Sequence, residues 1–312
     1  MRPILFAFAV LVCLMPLSAS AADRLTVLLD WFVNPDHAPL VVAAERGTFA
    51  EHGLDVELIA PADPAAPPRL VAAGQADVAI SYQPNLYMQV KEGLPLSRIA
   101  TLVETPLNAL VVLEDSPITE MSDLKGKTVG FSVGGFEDAL LGTMLEGAGL
   151  SLDDVELVNV NFSLSPSLYA GQVDAVIGAF RNFELNQMDI DGRPGRAFYP
   201  EEVGVPVYDE LVLLARNDML EDDRLPRFVA AIEEATIWLT NHPEEGWDLF
   251  VAAHPDLDNE LNKRAWFDTL PRFAKRPAAL DRTRYERFGD FMKDRGLIEE
   301  TVPVGEYAVE LK

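Results

Sequence analysis

Ala73-Gly74-Gln75-Ala76-Asp77-Val78-Ala79-Ile80 returns, little changed, as Ala170-Gly171-Gln172-Val173-Asp174-Ala175-Val176-Ile177. A helix-like stretch precedes each glycine, and a short apolar run follows each aspartate. The pattern reads as helix, tight turn, buried strand. Two such units, about a hundred residues apart, predict two similar α/β lobes. Clefts at the ends of parallel strands are where small ligands sit, so the repeat also predicts where a site would lie.

Around the first copy, Leu25–Leu29 and Leu54–Leu58 read as strands. Helices are expected over Ala38–Glu51, with Pro39 tolerated in the first turn, and from Asp63-Pro64 to Gly74. Around the second copy, Asn108–Leu113 reads as a crossover strand. Thr128–Phe131 and Val155–Val158 read as further strands, and Phe136–Glu146 as a helix. Leu211–Ala215 is expected to return the chain to the first lobe. This βαβαβ patterning predicts an α/β fold in which each lobe is a mostly parallel sheet flanked by helices. The boundaries follow: lobe I from 22–105 and 210–312, lobe II from 106–209, and two crossings that form a hinge. The last third is expected to be helical, with Trp238, Trp247 and Trp266 as core residues.

The first 21 residues stand apart. Arg2, an apolar run from Ile4 to Leu17 and the stretch Ala19-Ser20-Ala21-Ala22 have the organisation of a secretory signal peptide. Cleavage is expected near Ala21, and the apolar run is short for a permanent membrane span. The single cysteine, Cys13, lies inside this leader. Leu11-Val12 does not offer the small residues that lipoprotein processing needs. An exported chain without cysteine excludes disulfides, thiolate catalysis and Cys-ligated metals, and fits a bacterial periplasm. The formal charge of −25 disfavours nucleic acid.

Four segments converge on the expected cleft. In Asp30-Trp31-Phe32-Val33-Asn34-Pro35-Asp36-His37 an apolar strand runs into a polar, aromatic loop. Trp31 there can stack on a planar ring, with Asp30 and Asn34 supplying hydrogen-bond groups. His37 opens the following helix. After the first repeat come Ser81 and Tyr82, the latter a candidate opposite wall. Between a strand and a helix, Gly134-Gly135 allow close backbone approach and offer N–H groups. After the second repeat, Phe180, Arg181 and Glu184 reach toward the cleft, and Glu210 sits at the second crossing. No catalytic constellation is found: the four histidines lack zinc-ligand spacing, and there is no G-x-S-x-G elbow, Walker loop or G-x-G-x-x-G. No cofactor and no metal is expected.

The run Leu28-Leu29-Asp30-Trp31, Pro35-Asp36-His37-Ala38-Pro39, Ala43-Ala44-Glu45-Arg46-Gly47-Thr48-Phe49, Gly53-Leu54-Asp55-Val56 resembles the opening of the thiamine-pyrimidine-synthase-like (NMT1/THI5-like) family. The resemblance continues through Leu124-Lys125-Gly126-Lys127 and both Gly-Gln-x-Asp units. It implies the two-lobed periplasmic binding-protein fold (type II, Venus-flytrap). It also implies a monomeric solute-binding component that serves an ABC permease in the inner membrane and carries a thiamine pyrimidine precursor, formylaminopyrimidine or hydroxymethylpyrimidine. A flat aminopyrimidine would use Trp31 and Tyr82 as walls, Asp30, Glu184 or Glu210 as acceptors, and the Gly134-Gly135 amides for a formamide oxygen. Fungal members resemble suicide enzymes that hold pyridoxal phosphate through a lysine and donate a histidine. Here Ser81 and Asn85 stand at those places, and Val203–Val212 contains no cysteine. The departure favours binding without chemistry. A carrier of a sulfonate, nitrate or other small aromatic solute on the same scaffold and a pyridoxal-consuming synthase are the alternatives.

Overall fold

The computed structural model describes residues 22–311; the expected leader and its cleavage point near Ala21 lie outside the described residues. The chain forms two five-stranded sheets with the same plan. The first holds β1 (Asp23–Leu28), β2 (Leu54–Ile59), β3 (Val78–Ser81) and β4 (Leu96–Val103). The second holds β5 (Asn108–Leu113), β6 (Thr128–Phe131), β7 (Glu156–Asn159), β8 (Ala175–Phe180) and β9 (Gly195–Phe198). Strand β10 (Leu211–Arg216) returns to the first sheet. The orders are β2-β1-β3-β10-β4 and β7-β6-β8-β5-β9. In each sheet four strands point one way. The fourth in order, β10 or β5, is antiparallel to both neighbours. These two opposed strands are the ones that follow a crossing between the sheets.

The repeated phrase has one structural meaning in both lobes. Gly74 and Gly171 take left-handed conformations, with φ of 73° and 65°, which closes the turn after the helices Pro67–Ala72 and Leu164–Tyr169. The aspartate then pins the neighbouring strand. Asp77 Oδ2 accepts from Thr26 N at 2.8 Å, and Asp174 Oδ2 accepts from Thr128 N at 2.9 Å. Their own N–H groups donate back to the carbonyls of Thr26 and Thr128. Both aspartates thus fix the register of the buried strands that carry the loops of the cleft.

Some elements differ from the expectation. The helix expected over Ala38–Glu51 is divided into Ala38–Glu45 and a single turn, Thr48–Glu51, because Gly47 adopts φ 74°. The helix expected from Asp63 starts at Pro67, since Asp63 instead caps a turn by accepting from Ala65 N. β4 and β9 had no counterpart in the sequence reading. β4 is buried throughout, and Arg98 in its middle is fully buried. The two terminal nitrogens of the Arg98 guanidinium donate to the carbonyls of Pro277, Ala278, Ala279 and Val309 and to Thr101 Oγ1, which ties the C-terminal segment to this sheet.

The helical third packs on lobe I through Arg224–Asn241, Pro243–Ala253, Glu260–Thr269 and Arg282–Asp294. Trp247 and Trp266 are buried there. Trp238 is partly buried, stacked on His242 and covered by Arg46. The lobe I core continues across the cleft into Val133, Phe136 and Leu140 of the second lobe, so the two lobes are closed on one another.

Candidate functional site

Between the lobes lies a narrow cleft that opens to solvent at its mouth. Asp30, Trp31, Asn34, Asp36 and Tyr82 line it from one side, and Glu137, Leu164, Gly178, Phe180, Phe183 and Glu184 from the other. Six residues expected from the sequence are therefore together on one wall or the other: Asp30, Trp31, Asn34, Tyr82, Phe180 and Glu184.

The lobe I wall is built by a tight loop. Asn34 caps the turn Pro35–His37, its Oδ1 accepting from Asp36 N at 2.8 Å and its Nδ2 donating to Phe32 O at 3.1 Å. The Asn34 N–H donates to His37 Nδ1 at 3.3 Å, so the ring proton lies on Nε2, 2.8 Å from Asp30 Oδ1. Tyr82 donates its hydroxyl to the other oxygen, Oδ2, at 2.9 Å. Asp30 is thus fixed by one donor to each oxygen. Burial, and next the Asp30 carboxylate, push the Tyr82 hydroxyl well above its ordinary pKa. Its ring stacks on Phe136 with centroids 4.9 Å apart and meets the Phe180 edge at 6.4 Å. At the mouth, Trp31 and Phe32 both reach Phe162 across the lobes, at 4.6 and 4.5 Å.

The lobe II wall is acidic. Glu137, in the first turn of the helix Phe136–Gly147, folds back so that Oε2 accepts from Ser132 N at 2.7 Å and Val133 N at 3.0 Å. Burial nevertheless pushes its carboxyl up to about 8. Glu184 accepts from Phe180 N at 2.6 Å, and burial raises it to about 7. From the opposite lobe, burial raises Asp36 to about 6, against the hydrogen bonds of Thr269 and Asn182 and the nearby His37. Room for Glu137 is made by Gly178, which breaks the β8 ladder with φ 96°. A Cβ at that position would fall on the Glu137 carboxylate. A glycine inside a strand is the sequence signal for this close approach, and it points to Glu137, which the sequence reading missed along with Asp36.

Five expected residues are not on the cleft wall. His37 is fully buried behind Asp30 and orients it. Ser81 is buried, and its hydroxyl has no partner among the described residues. Gly134 and Gly135 lie outside the lining, and the N–H groups that Glu137 accepts in this loop are those of Ser132 and Val133. Glu210 is a hinge residue: Oε2 accepts from Leu107 N at 2.6 Å and Asn108 N at 3.0 Å, joining the two crossings. Burial raises its carboxyl to about 7. Arg181 secures the same segment. It donates to the carbonyls of Leu107 and Asn108, pairs with Glu201 at 2.5 Å, and lies over Tyr199. No Lys or Arg remains among the residues lining the cleft. No group of metal-binding side chains is found among the described residues.

A family model described as NMT1/THI5 like matches residues 34–246. A putative thiamine biosynthesis protein from Haemophilus influenzae is 53% identical over 300 residues, with 96% of each chain covered. A formylaminopyrimidine-binding protein from Halalkalibacterium halodurans is 34% identical, covering 77% of this chain and 74% of its own. A 4-amino-5-hydroxymethyl-2-methylpyrimidine phosphate synthase from Legionella pneumophila is 25% identical, covering 90% of both. Among solved structures, the alkanesulfonate-binding protein SsuA from Xanthomonas axonopodis pv. citri superposes with a TM-score of 0.72 at 16% identity, covering 93% of this chain and 99% of that one. The fold is that of the periplasmic binding proteins.

Proposed function

This chain belongs to the NMT1/THI5-like family, and from that premise we propose that it is the periplasmic substrate-binding component of an ABC importer for a thiamine pyrimidine precursor, formylaminopyrimidine or hydroxymethylpyrimidine. It delivers the ligand, chemically unchanged, to a permease in the inner membrane. Lobe I comprises residues 22–105 and 210–312, lobe II residues 106–209, and the leader preceding Ala22 directs export. The ligand sits between Trp31 and Tyr82, with Asp30, Asn34, Asp36, Glu137, Phe180 and Glu184 around its rim.

The observation that carries this reading is the lining of the cleft. Four carboxyl groups face it, and no basic side chain does. An aminopyrimidine presents several N–H donors and a ring nitrogen that accepts a proton, and so suits acceptors on both walls. A sulfonate, nitrate or phosphate ester would bring a negative charge against four carboxyl groups with no cation to meet it. That argues against the anion-carrier alternative. It argues equally against a synthase that must hold pyridoxal phosphate, which would also lack the lysine replaced here by Ser81.

Titration calorimetry with formylaminopyrimidine, hydroxymethylpyrimidine, an alkanesulfonate and pyridoxal phosphate tests the proposal. Heat is expected from the two pyrimidines alone. Tight binding of the sulfonate, or an imine absorbance with pyridoxal phosphate, would overturn it.

A further inference from the structure

Asn182 lies just outside the cleft, on lobe II, yet reaches across to a cleft residue of lobe I. Its Nδ2 is 2.6 Å from Asp36 Oδ1 and 2.7 Å from Thr269 Oγ1. The amide has two hydrogens, one for each acceptor. Thr269 Oγ1 is in turn 2.9 Å from Asp36 Oδ1. All three side chains are buried. With the ligand taken from the aminopyrimidine reading above, we propose that Asn182 and Thr269 are positioning residues. They grip Asp36 from both lobes, so that Asp36 turns its second oxygen to the ligand only when the cleft is shut.

Three observations carry this. First, the contacts to the Asp36 carboxylate go to Oδ1, from Asn182 Nδ2 and from Thr269 Oγ1, whose single hydrogen is shared with Ala265 O at 2.7 Å, and no protein donor among the described residues reaches Oδ2, while Asp36 lines the cleft. Second, the Asn182 side-chain oxygen Oδ1 is buried without a partner among the described residues, so the side chain is oriented by its donor end alone. Third, the contact continues along the next helix. Asn186 Nδ2 donates to Asp268 Oδ2 at 2.8 Å, and Arg264 Nη1 to Asp189 Oδ2 at 2.6 Å. Those two pairs are exposed and contribute little. The bond from Asn182 to a buried carboxylate is the strong member of the set. Because Glu184 lines the cleft two residues after Asn182, one segment both faces the ligand and holds the closure.

Asn182→Asp separates this role from simple packing. It puts a second carboxylate against Asp36, in a setting where Asp30 and His37 come from the same loop, Glu184 from the facing helix, and Thr269 from Glu260–Thr269. At pH 8 the two acids repel; at pH 5 a shared proton restores the bridge. For the readout, Glu92→Cys and Asp153→Cys, both at exposed positions on opposite lobes, carry a dye pair in a Cys13→Ser background. Calorimetry with formylaminopyrimidine is run alongside. Asn182→Ala is expected to lengthen the mean dye separation and weaken binding about tenfold or more, with an unchanged circular dichroism spectrum. Asn182→Asp should show that deficit at pH 8 and lose most of it at pH 5, relative to wild type at each pH. Closure and affinity as in wild type for Asn182→Ala, or an equal Asn182→Asp deficit at both pH values, would overturn the proposal. Absence of heat from the wild type with any aminopyrimidine sinks the ligand reading alone. The ligand-free dye separations, expected to be longer in Asn182→Ala, still decide the latch.

Discussion

The Cα of Gly178 faces the carboxylate of Glu137 so closely that no side chain fits between them. Strand β8 gives up a regular ladder at this point, and the acid of the opposite helix enters the space. Gly178→Ala should therefore act twice, through the left-handed backbone and through displacement of Glu137. A destabilisation of roughly 1–3 kcal/mol is expected, together with weaker ligand binding. Thermal unfolding and calorimetry on the same preparation check this. An unchanged midpoint would mean that the glycine is dispensable.

Trp31→Ala should weaken pyrimidine binding by about 1–3 kcal/mol, the usual effect of losing one stacking platform. Its neighbours in the loop are held by Asn34 and His37, so the lobe is expected to stay folded. Trp31→Phe should be intermediate. Binding equal to wild type in the alanine variant would remove Trp31 from the ligand.

The buried acids make stability depend on pH in an unusual direction. In the folded chain Asp36, Glu184, Glu210 and Glu137 titrate near 6, 7, 7 and 8, all above their ordinary values. Each therefore binds a proton more readily folded than unfolded, and its stabilising effect is lost as pH rises through those values. The unfolding midpoint of the ligand-free protein is expected to climb as pH is lowered from 8 to 5. Glu137→Gln should flatten the upper part of that rise. A midpoint that falls steadily between pH 8 and 5 would contradict the assignment.

Glu210 gives a separate forecast. Its carboxylate serves two backbone N–H groups of the crossing at Leu107 and Asn108. Glu210→Leu leaves both donors buried and unpaired, which costs about 1–3 kcal/mol for each. The expected signature is lower stability in denaturant titration without any change in which ligands bind. A switch in ligand preference would return Glu210 to the cleft.

The lobes were legible because local patterns specify them. The Gly-Gln-x-Asp phrase encodes a helix stop and a strand clamp within eight residues, and Asp77 and Asp174 carry out the same task in both halves. The loop from Asp30 to Asn34 was legible for a similar reason, since an apolar strand there ends abruptly in polar and aromatic residues. What could not be read was distant pairing. Glu137 looks like any acid in the first turn of a helix until Gly178, 41 positions later in the chain, is brought against it. Asp36 and Asn182 meet only across the closed lobes. Glu210 and Arg181 stand beside cleft segments in sequence, but in space they are consumed by the crossing peptide, which has no sequence signature. β4 went unread because Arg98 interrupts its apolar run, and its carbonyl partners come from segments 179 to 211 residues away.

Strand β10 sits between β3 and β4 although more than a hundred residues separate it from them in the chain. A ribosome making this polypeptide completes the second sheet first, since all its strands lie between Asn108 and Phe198. The earlier-made sheet stays split, with β4 lacking its hydrogen-bonded neighbour, until residue 216 has emerged. The first half of the chain therefore holds no complete sheet of its own, and its sheet closes only once the segment beyond the second sheet is in place.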